Sequence, residues 1–419
     1  MNVIEIIEKK KNNKKLTKKE IFYIVNSYYH EEITDYQMSA FLMAVCINGF
    51  SDQETVFFTD AIVKTGKKLK IANLVDKHST GGVGDKTTLL IAPIVACAGL
   101  KMVKMSGGGL GHTGGTVDKL ESIKGFRVDL SQTEIEKSLR EVGVCLIKQL
   151  PDLAPADQKI YQLRDVTGTT NSIPLIASSI MSKKIASGAK ILVIDLKIGK
   201  GAFVKNKKDG LALAKLLQKI GNHYQIKVTC VLSNMDEPLG YNIGNGLEVK
   251  ECLEFLKGNY EKKLYDLVLK LSATLIAKSK NMHYQKAEKI VKDIIESGEA
   301  YERFKKIIEN QGGDINSIKI SAKKQTLLSD SSGYISQIDA YKFGNIVKNL
   351  GGGRLEIGDE IDYGVGVVFH HKVGDYIEKN DKVLTIYYNK RDMRITEIIN
   401  SFAISKGSVK QKSTIIDVV

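Results

Sequence analysis

The sequence predicts an α/β protein: a helical segment, an α/β domain, and a smaller α+β domain at the end of the chain. Three observations predict it. Three capping-box words stand at similar spacing within residues 1–65, strands alternate with helices from about residue 70, and from Ser331 the chain turns to short strands punctuated by glycine. With 419 residues, the chain can build two or three domains with sizeable cores.

In the first segment, Thr17-Lys18-Lys19-Glu20, Thr34-Asp35-Tyr36-Gln37 and Ser51-Asp52-Gln53-Glu54 each place a hydroxyl three residues ahead of Glu or Gln, just before an apolar periodic run. That pattern starts a helix. The stripes that follow (Ile21, Tyr23, Ile24; Met38, Phe41, Leu42; Val56, Phe57, Ile62) read as core or dimer surface.

Next, Asp76 to Thr88 reads as a strand end and a glycine-rich loop, with a helix over Thr87 to Ala98. LKMVKM (100–105) is a short strand ahead of a second glycine-rich loop, Ser106 to Thr116. Ser131-Gln132-Thr133-Glu134 starts another helix and VGVCLI (142–147) is another strand. Residues 151–155 read as a linker, 156–188 as helical, and ILVIDL (191–196) and IKVTCVL (226–232) as buried strands. The run 240–330 is mostly helical, and all five prolines precede residue 240. Alternation of this kind predicts ligands at the carboxyl ends of the strands.

Composition narrows the function. No stretch approaches a membrane span, and the N-terminus lacks a signal-peptide core, which points to the cytoplasm. Cys46, Cys97, Cys145, Cys230 and Cys252 form no CxxC pair and read as reduced thiols. The formal charge of +14 comes from lysines spread along the chain without a basic-aromatic motif. A diffuse field of that sign suits capture of a small anion better than nucleic acid.

The two glycine-rich loops carry the chemistry. Glycines let backbone approach a ligand, and the first N–H groups of a helix favour an anion. The P-loop word fails because Asp85 stands between Gly84 and Lys86. Gly109, Gly111 and Gly114 satisfy G-x-G-x-x-G, but no close-packing apolar helix start follows. Lys77, Ser79, Thr88, Ser106 and Thr116 supply one cation and four hydroxyls, all expected on loops after strands. Such an inventory suits inorganic phosphate held as a reactant. His78 and His112 flank the same loops.

KHSTGGVGDK and SGGGLGHTGGTVDKLE closely resemble the signature stretches of thymidine and pyrimidine-nucleoside phosphorylases, and the likeness continues through residues 161–167, 171–184 and 199–203 into the C-terminal part. The resemblance implies a helical domain of residues 1–65 with 160–190 inserted back into it. It also implies an α/β phosphate-binding domain of 70–155 and 191–330 with a mixed sheet, beside the C-terminal domain of 331–419. The active site would lie in the interdomain cleft of a homodimer formed through the helical domain.

Carried over residue by residue, the resemblance makes Lys77, Ser79, Thr88, Ser106 and Thr116 phosphate contacts, and Arg164, Ser179 and Lys183 pyrimidine contacts. His78 would help the base leave, with Arg164 and Lys183 stabilising its charge. Tyr161, Leu110, Ile176, Ile180 and Phe203 would form the pocket wall. The implied reaction is reversible phosphorolysis of thymidine, uridine or deoxyuridine, with phosphate as co-substrate and no required cofactor. Alternatives are a phosphoribosyltransferase of related architecture and a catalytically weakened basic binding protein. Some relatives hold a structural monovalent cation. The corresponding positions are Gly84, Leu239, Asn242 and Glu251, and the ammonium of Lys86 could take its place. One departure stands out: Gly108 replaces an arginine in the second loop.

Overall fold

In the computed structural model, which describes residues 1–109, 112, 114–356, 358–389 and 395–419, the N-terminal segment folds as α1 (Val3–Lys11), α2 (Lys18–Tyr29), α3 (Asp35–Asn48) and α4 (Asp52–Lys64). The capping boxes form as expected: Thr17 N–H donates to Glu20 at 2.6 Å, Thr34 N–H to Gln37 at 3.2 Å and Ser51 N–H to Glu54 at 2.8 Å. Each satisfies N–H groups that a helix start leaves unpaired, worth about 1 kcal/mol.

The chain continues through β1 (Leu74–Ser79), α5 (Thr87–Cys97), β2 (Met102–Ser106), α6 (Thr116–Glu121), α7 (Gln132–Glu141) and β3 (Val144–Lys148). Then come α8 (Pro155–Val166), α9 (Ile173–Ala186), β4 (Ala189–Ile198), α10 (Lys207–His223) and β5 (Lys227–Asn234). The strands β1, β4 and β5 run parallel in that order, and β2 pairs with β3 and reaches β1 through a bridge between Lys101 and Leu74. Helices α8 and α9 return to the N-terminal helices. Lys159 donates to Tyr28 O at 3.1 Å, and the hydroxyls of Thr59 and Ser178 lie 2.6 Å apart.

The central strand β4 is buried on both faces. Leu192, Ile194 and Leu196 enter a core shared with α4, α9 and α10, while Val193 enters the core on the opposite side with α5. Side chains alternate along a strand, so the polar pair Asp195 and Lys197 falls on Val193's face near the carboxyl end.

The rest comprises β6 (Asn242–Ile243), α11 (Asn245–Leu256), α12 (Lys262–Lys280), α13 (Tyr284–Glu296), α14 (Glu299–Asn310), β7 (Lys324–Leu328), β8 (Gly333–Ile338), α15 (Ala340–Val347), β9 (Gly366–Phe369), β10 (Tyr376–Ile377), β11 (Lys382–Tyr387), α16 (Ile395–Ile399), β12 (Phe402–Ser405) and β13 (Ile415–Val418). Strand pairing links the C-terminal part to earlier segments. The C-terminal sheet already recruits β6 and β7, ordered β6-β9-β11-β7, whereas β13 leaves it and pairs antiparallel with β5. Cys230 and Val419 exchange two backbone hydrogen bonds of 2.8 Å. That antiparallel edge makes the central sheet mixed.

Candidate active site

Lys77 and His78 are consecutive residues of β1 and therefore project to opposite faces. Lys77 is buried on the α5 side, donating to Thr87 Oγ1 at 2.5 Å, with Asp195 and Asp85 at 3.8 and 4.0 Å. Burial lowers the lysine's proton affinity, partly offset by the two aspartates. Burial alone would raise Asp85, but Lys77 and Lys197 hold it well below the usual carboxylate range. His78 turns towards α9, where Asp76 accepts from Lys184 at 2.7 Å. Burial, then the fields of Lys184, Lys104, Lys77 and Lys183, holds its imidazole well below the ordinary value. The ring is neutral at pH 7, so it can donate one hydrogen bond but does not arrive as an imidazolium acid.

The expected loop placement is corrected in detail. Lys77, Ser79 and Ser106 close strands β1 and β2, while Thr88 and Thr116 sit in the first turns of α5 and α6. Strand ends and helix starts hold side chains more rigidly than loops do. The N-terminus of α5 is also less open than the sequence suggested, because Asp85 accepts the N–H of Thr87 at 3.2 Å. Ser106 presents the opposite condition: its hydroxyl is buried with no hydrogen-bond partner among the described residues. Buried polar atoms are normally paired, so this hydroxyl is left with bonding capacity to spare. Beside it Lys104 is buried and pushed down to about 7, by desolvation first and by Lys184 next, against the opposing pull of Asp76.

Glycine is required at two loop positions for different reasons. Gly84 has φ +74°, and a Cβ there would lie 2.5 Å from Leu239 O. At Gly115 a Cβ would lie 2.2 Å from Gly109 N, because the chain at 108–109 packs directly on it. His112 hydrogen-bonds Gly201 O at 3.1 Å, and its ring lies 5.9 Å from that of Phe203 and 4.7 Å from that of Tyr341. Leu110, expected in the pocket wall, lies outside the described residues.

The residues carried over as pyrimidine contacts gather on α8 and α9. Lys183 is ion-paired with Asp157 and also donates to Ser179 Oγ at 2.9 Å. The Tyr161 ring lies 5.7 Å from the Lys183 ammonium and 5.8 Å from the Arg164 guanidinium. Arg164 is buried, not a solvated face, and three of its N–H groups donate to Thr169 O at 3.1 Å, Thr170 O at 2.8 Å and Leu175 O at 3.3 Å. It thereby organises the turn joining the two helices, with two further N–H groups left for other acceptors. Ile176 and Ile180 pack into the α4–α9–α10 core.

At the positions carried over for a cation, Lys86 Nζ donates to Leu239 O at 2.9 Å, Asn242 O at 2.8 Å and Glu251 at 2.5 Å. Tyr241 N and Asn242 N donate to the same carboxylate at 2.6 and 2.9 Å. The oxygens that would suit a monovalent ion therefore surround an ammonium.

Residues 4–66 match the model of the glycosyl transferase family helical bundle domain, and residues 71–301 match that of the glycosyl transferase family a/b domain. Residues 334–405 match the pyrimidine nucleoside phosphorylase C-terminal domain. A pyrimidine-nucleoside phosphorylase of Staphylococcus epidermidis is 46% identical over 421 residues, covering 97% of each chain. The chain belongs to the pyrimidine-nucleoside phosphorylase family. Another member of that family, from Bacillus subtilis, is 44% identical over 404 residues, covering 94% of this chain and 93% of its own. The fold is shared with anthranilate phosphoribosyltransferase from Thermus thermophilus, at a TM-score of 0.60 and 15% identity over 74% of this chain and 99% of the other.

Within this family's frame, the structure adds residues that sequence reasoning missed. Thr87 receives the Lys77 ammonium. Lys104 and Asp157 were both passed over. The spacing of Asp157, Tyr161 and Arg164 places all three on one face of a helix, a signal that could have found Asp157. Nothing local marks Lys104, whose environment comes from neighbouring strands.

Proposed function

We propose that this protein catalyses reversible phosphorolysis of pyrimidine nucleosides, giving the free base and (deoxy)ribose 1-phosphate. A phosphate oxygen attacks the anomeric carbon as the bond to the pyrimidine nitrogen breaks, and the bonding electrons leave with the base. The base then takes up a proton. Lys183 and the remaining N–H groups of Arg164 stabilise the carbonyl oxygens more as charge develops than in the substrate, which is what accelerates the step. Neutral His78 contributes a hydrogen bond between the two halves of the cleft.

The observation that carries this reading is the unpartnered buried hydroxyl of Ser106 at the end of β2, beside Lys104 and one strand from Lys77. An oxyanion completes it. Thr88 and Thr116, at the first turns of their helices, complete the phosphate set. Closure of the helical unit on the α/β unit would exclude water, the competing nucleophile. Lys86 takes the role of a structural cation. The resemblance further implies a homodimer formed through the helical unit and work in the cytoplasm. No helix among the described residues is long and apolar enough to cross a membrane.

Incubation with phosphate and thymidine, uridine or deoxyuridine, with free base followed by absorbance, tests the proposal. Release of base that depends on phosphate is expected. Absence of release from all three substrates would overturn it.

A further inference from the structure

The second glycine-rich loop lacks a side chain at Gly108, and the structure fills that space from elsewhere. A Cβ built on Gly108 would lie 3.1 Å from Arg354 Nη1 and 3.3 Å from Asp118 Oδ1. Arg354 comes from the C-terminal unit, 236 residues further along, and donates to Asp118 Oδ1 at 3.2 Å. The other oxygen of Asp118 accepts the backbone N–H of Gly109. One carboxylate thus ties the loop to a guanidinium that the loop itself does not carry. The φ of Gly108 is not left-handed, so space, not backbone strain, sets what this position accepts.

Neighbouring contacts bring the same part of the C-terminal unit against this loop. A Cβ on Gly344 of α15 would lie 2.3 Å from His112 O, so the helix backbone sits directly on the loop. Asn245 donates to Gly352 O at 3.0 Å, holding the segment just before Arg354. The Asp118 side chain is 2% exposed and that of Arg354 37%. A buried carboxylate beside a phosphate site repels the dianion unless a cation offsets it.

We propose that Arg354 is a positioning residue for phosphate: it neutralises Asp118 and braces residues 107–109 so that Ser106 and Thr116 present their hydroxyls together. The C-terminal unit is thereby coupled to the phosphate site. This rests on the phosphorolytic reading above.

The test measures KM for phosphate and for nucleoside, with phosphate affinity by calorimetry alongside. Arg354→Ala is expected to raise the phosphate KM about ten- to a hundredfold, as loss of a charge-assisted hydrogen bond would, with little change in the nucleoside KM. Gly108→Arg in the Arg354→Ala background is expected to recover most of that loss, because an arginine grown from 108 reaches Asp118. In the presence of Arg354, the same Gly108→Arg change is expected to weaken phosphate binding, since two guanidiniums then crowd one carboxylate. This reversal of sign cannot come from a merely structural role. A folded Arg354→Ala protein with unchanged phosphate KM and affinity would overturn the proposal, as would Gly108→Arg being equally harmful in both backgrounds. A wild-type protein that binds phosphate but releases no base would sink the phosphorolytic reading, while calorimetry would still judge the brace.

Discussion

The ammonium of Lys183 on α9 is held by the carboxylate of Asp157 on α8, with the Tyr161 ring lying 5.7 Å away. The Asp157 side chain is 2% exposed and that of Lys183 25%, so the carboxylate is sealed while the ammonium end of the pair reaches solvent. Asp157 therefore aims the lysine. Asp157→Asn keeps the shape and removes the charge, and kcat is expected to fall about tenfold or more. Lys183→Ala removes the donor itself and is expected to cost about 10²–10³ in kcat. Circular dichroism should be unchanged in both; near-normal turnover in Lys183→Ala would remove it from the site.

Arg164 serves the fold, in addition to the role at the base proposed above. Its three bonds to Thr169, Thr170 and Leu175 carbonyls would be lost in Arg164→Ala, leaving acceptors unpaired in a buried turn. A loss of roughly 3–5 kcal/mol is expected, together with lost activity. Denaturant unfolding reads the first and kinetics the second. Unaltered stability would show that the turn does not depend on it.

Lys86 predicts a rescue. Lys86→Ala leaves Glu251 buried beside two carbonyls without its cation, and a loss of about 3–5 kcal/mol is expected. The cavity and its oxygens then suit a monovalent ion, so added potassium should raise the variant's melting temperature far more than the wild type's. Equal responses would mean that Lys86 does not stand in for an ion.

Lys104 predicts a proton uptake. In the folded protein it is pushed down to about 7, against an ordinary value near 10.4. Between these values the unliganded protein has largely lost this proton, and a bound phosphate dianion favours its return. Phosphate affinity should therefore fall as pH rises above about 7, and binding should take up protons, measured by calorimetry in buffers of different ionisation enthalpy. The stability sign is the reverse. The unfolded chain binds the extra proton in that window, so this group's contribution to stability rises with pH through it. Lys104→Met should abolish both effects.

Much of this molecule was legible in its sequence because the signals are local. Thr17, Ser51 and Ser131 each close a capping box with a residue three positions on, and Thr34 is closed by Gln37 in the same way. The glycine spacing of the two loops, and the family likeness they carry, likewise depend only on neighbours along the chain. Tertiary structure alone decided the rest. Which face of β1 carries His78, which carbonyls occupy Arg164, and that β13 returns to β5 are set by packing between distant segments. The same holds for Arg354, which meets Asp118 across 236 residues. Charge and burial at such a site are sums over whatever the fold brings close, and a sequence read in order does not contain those distances.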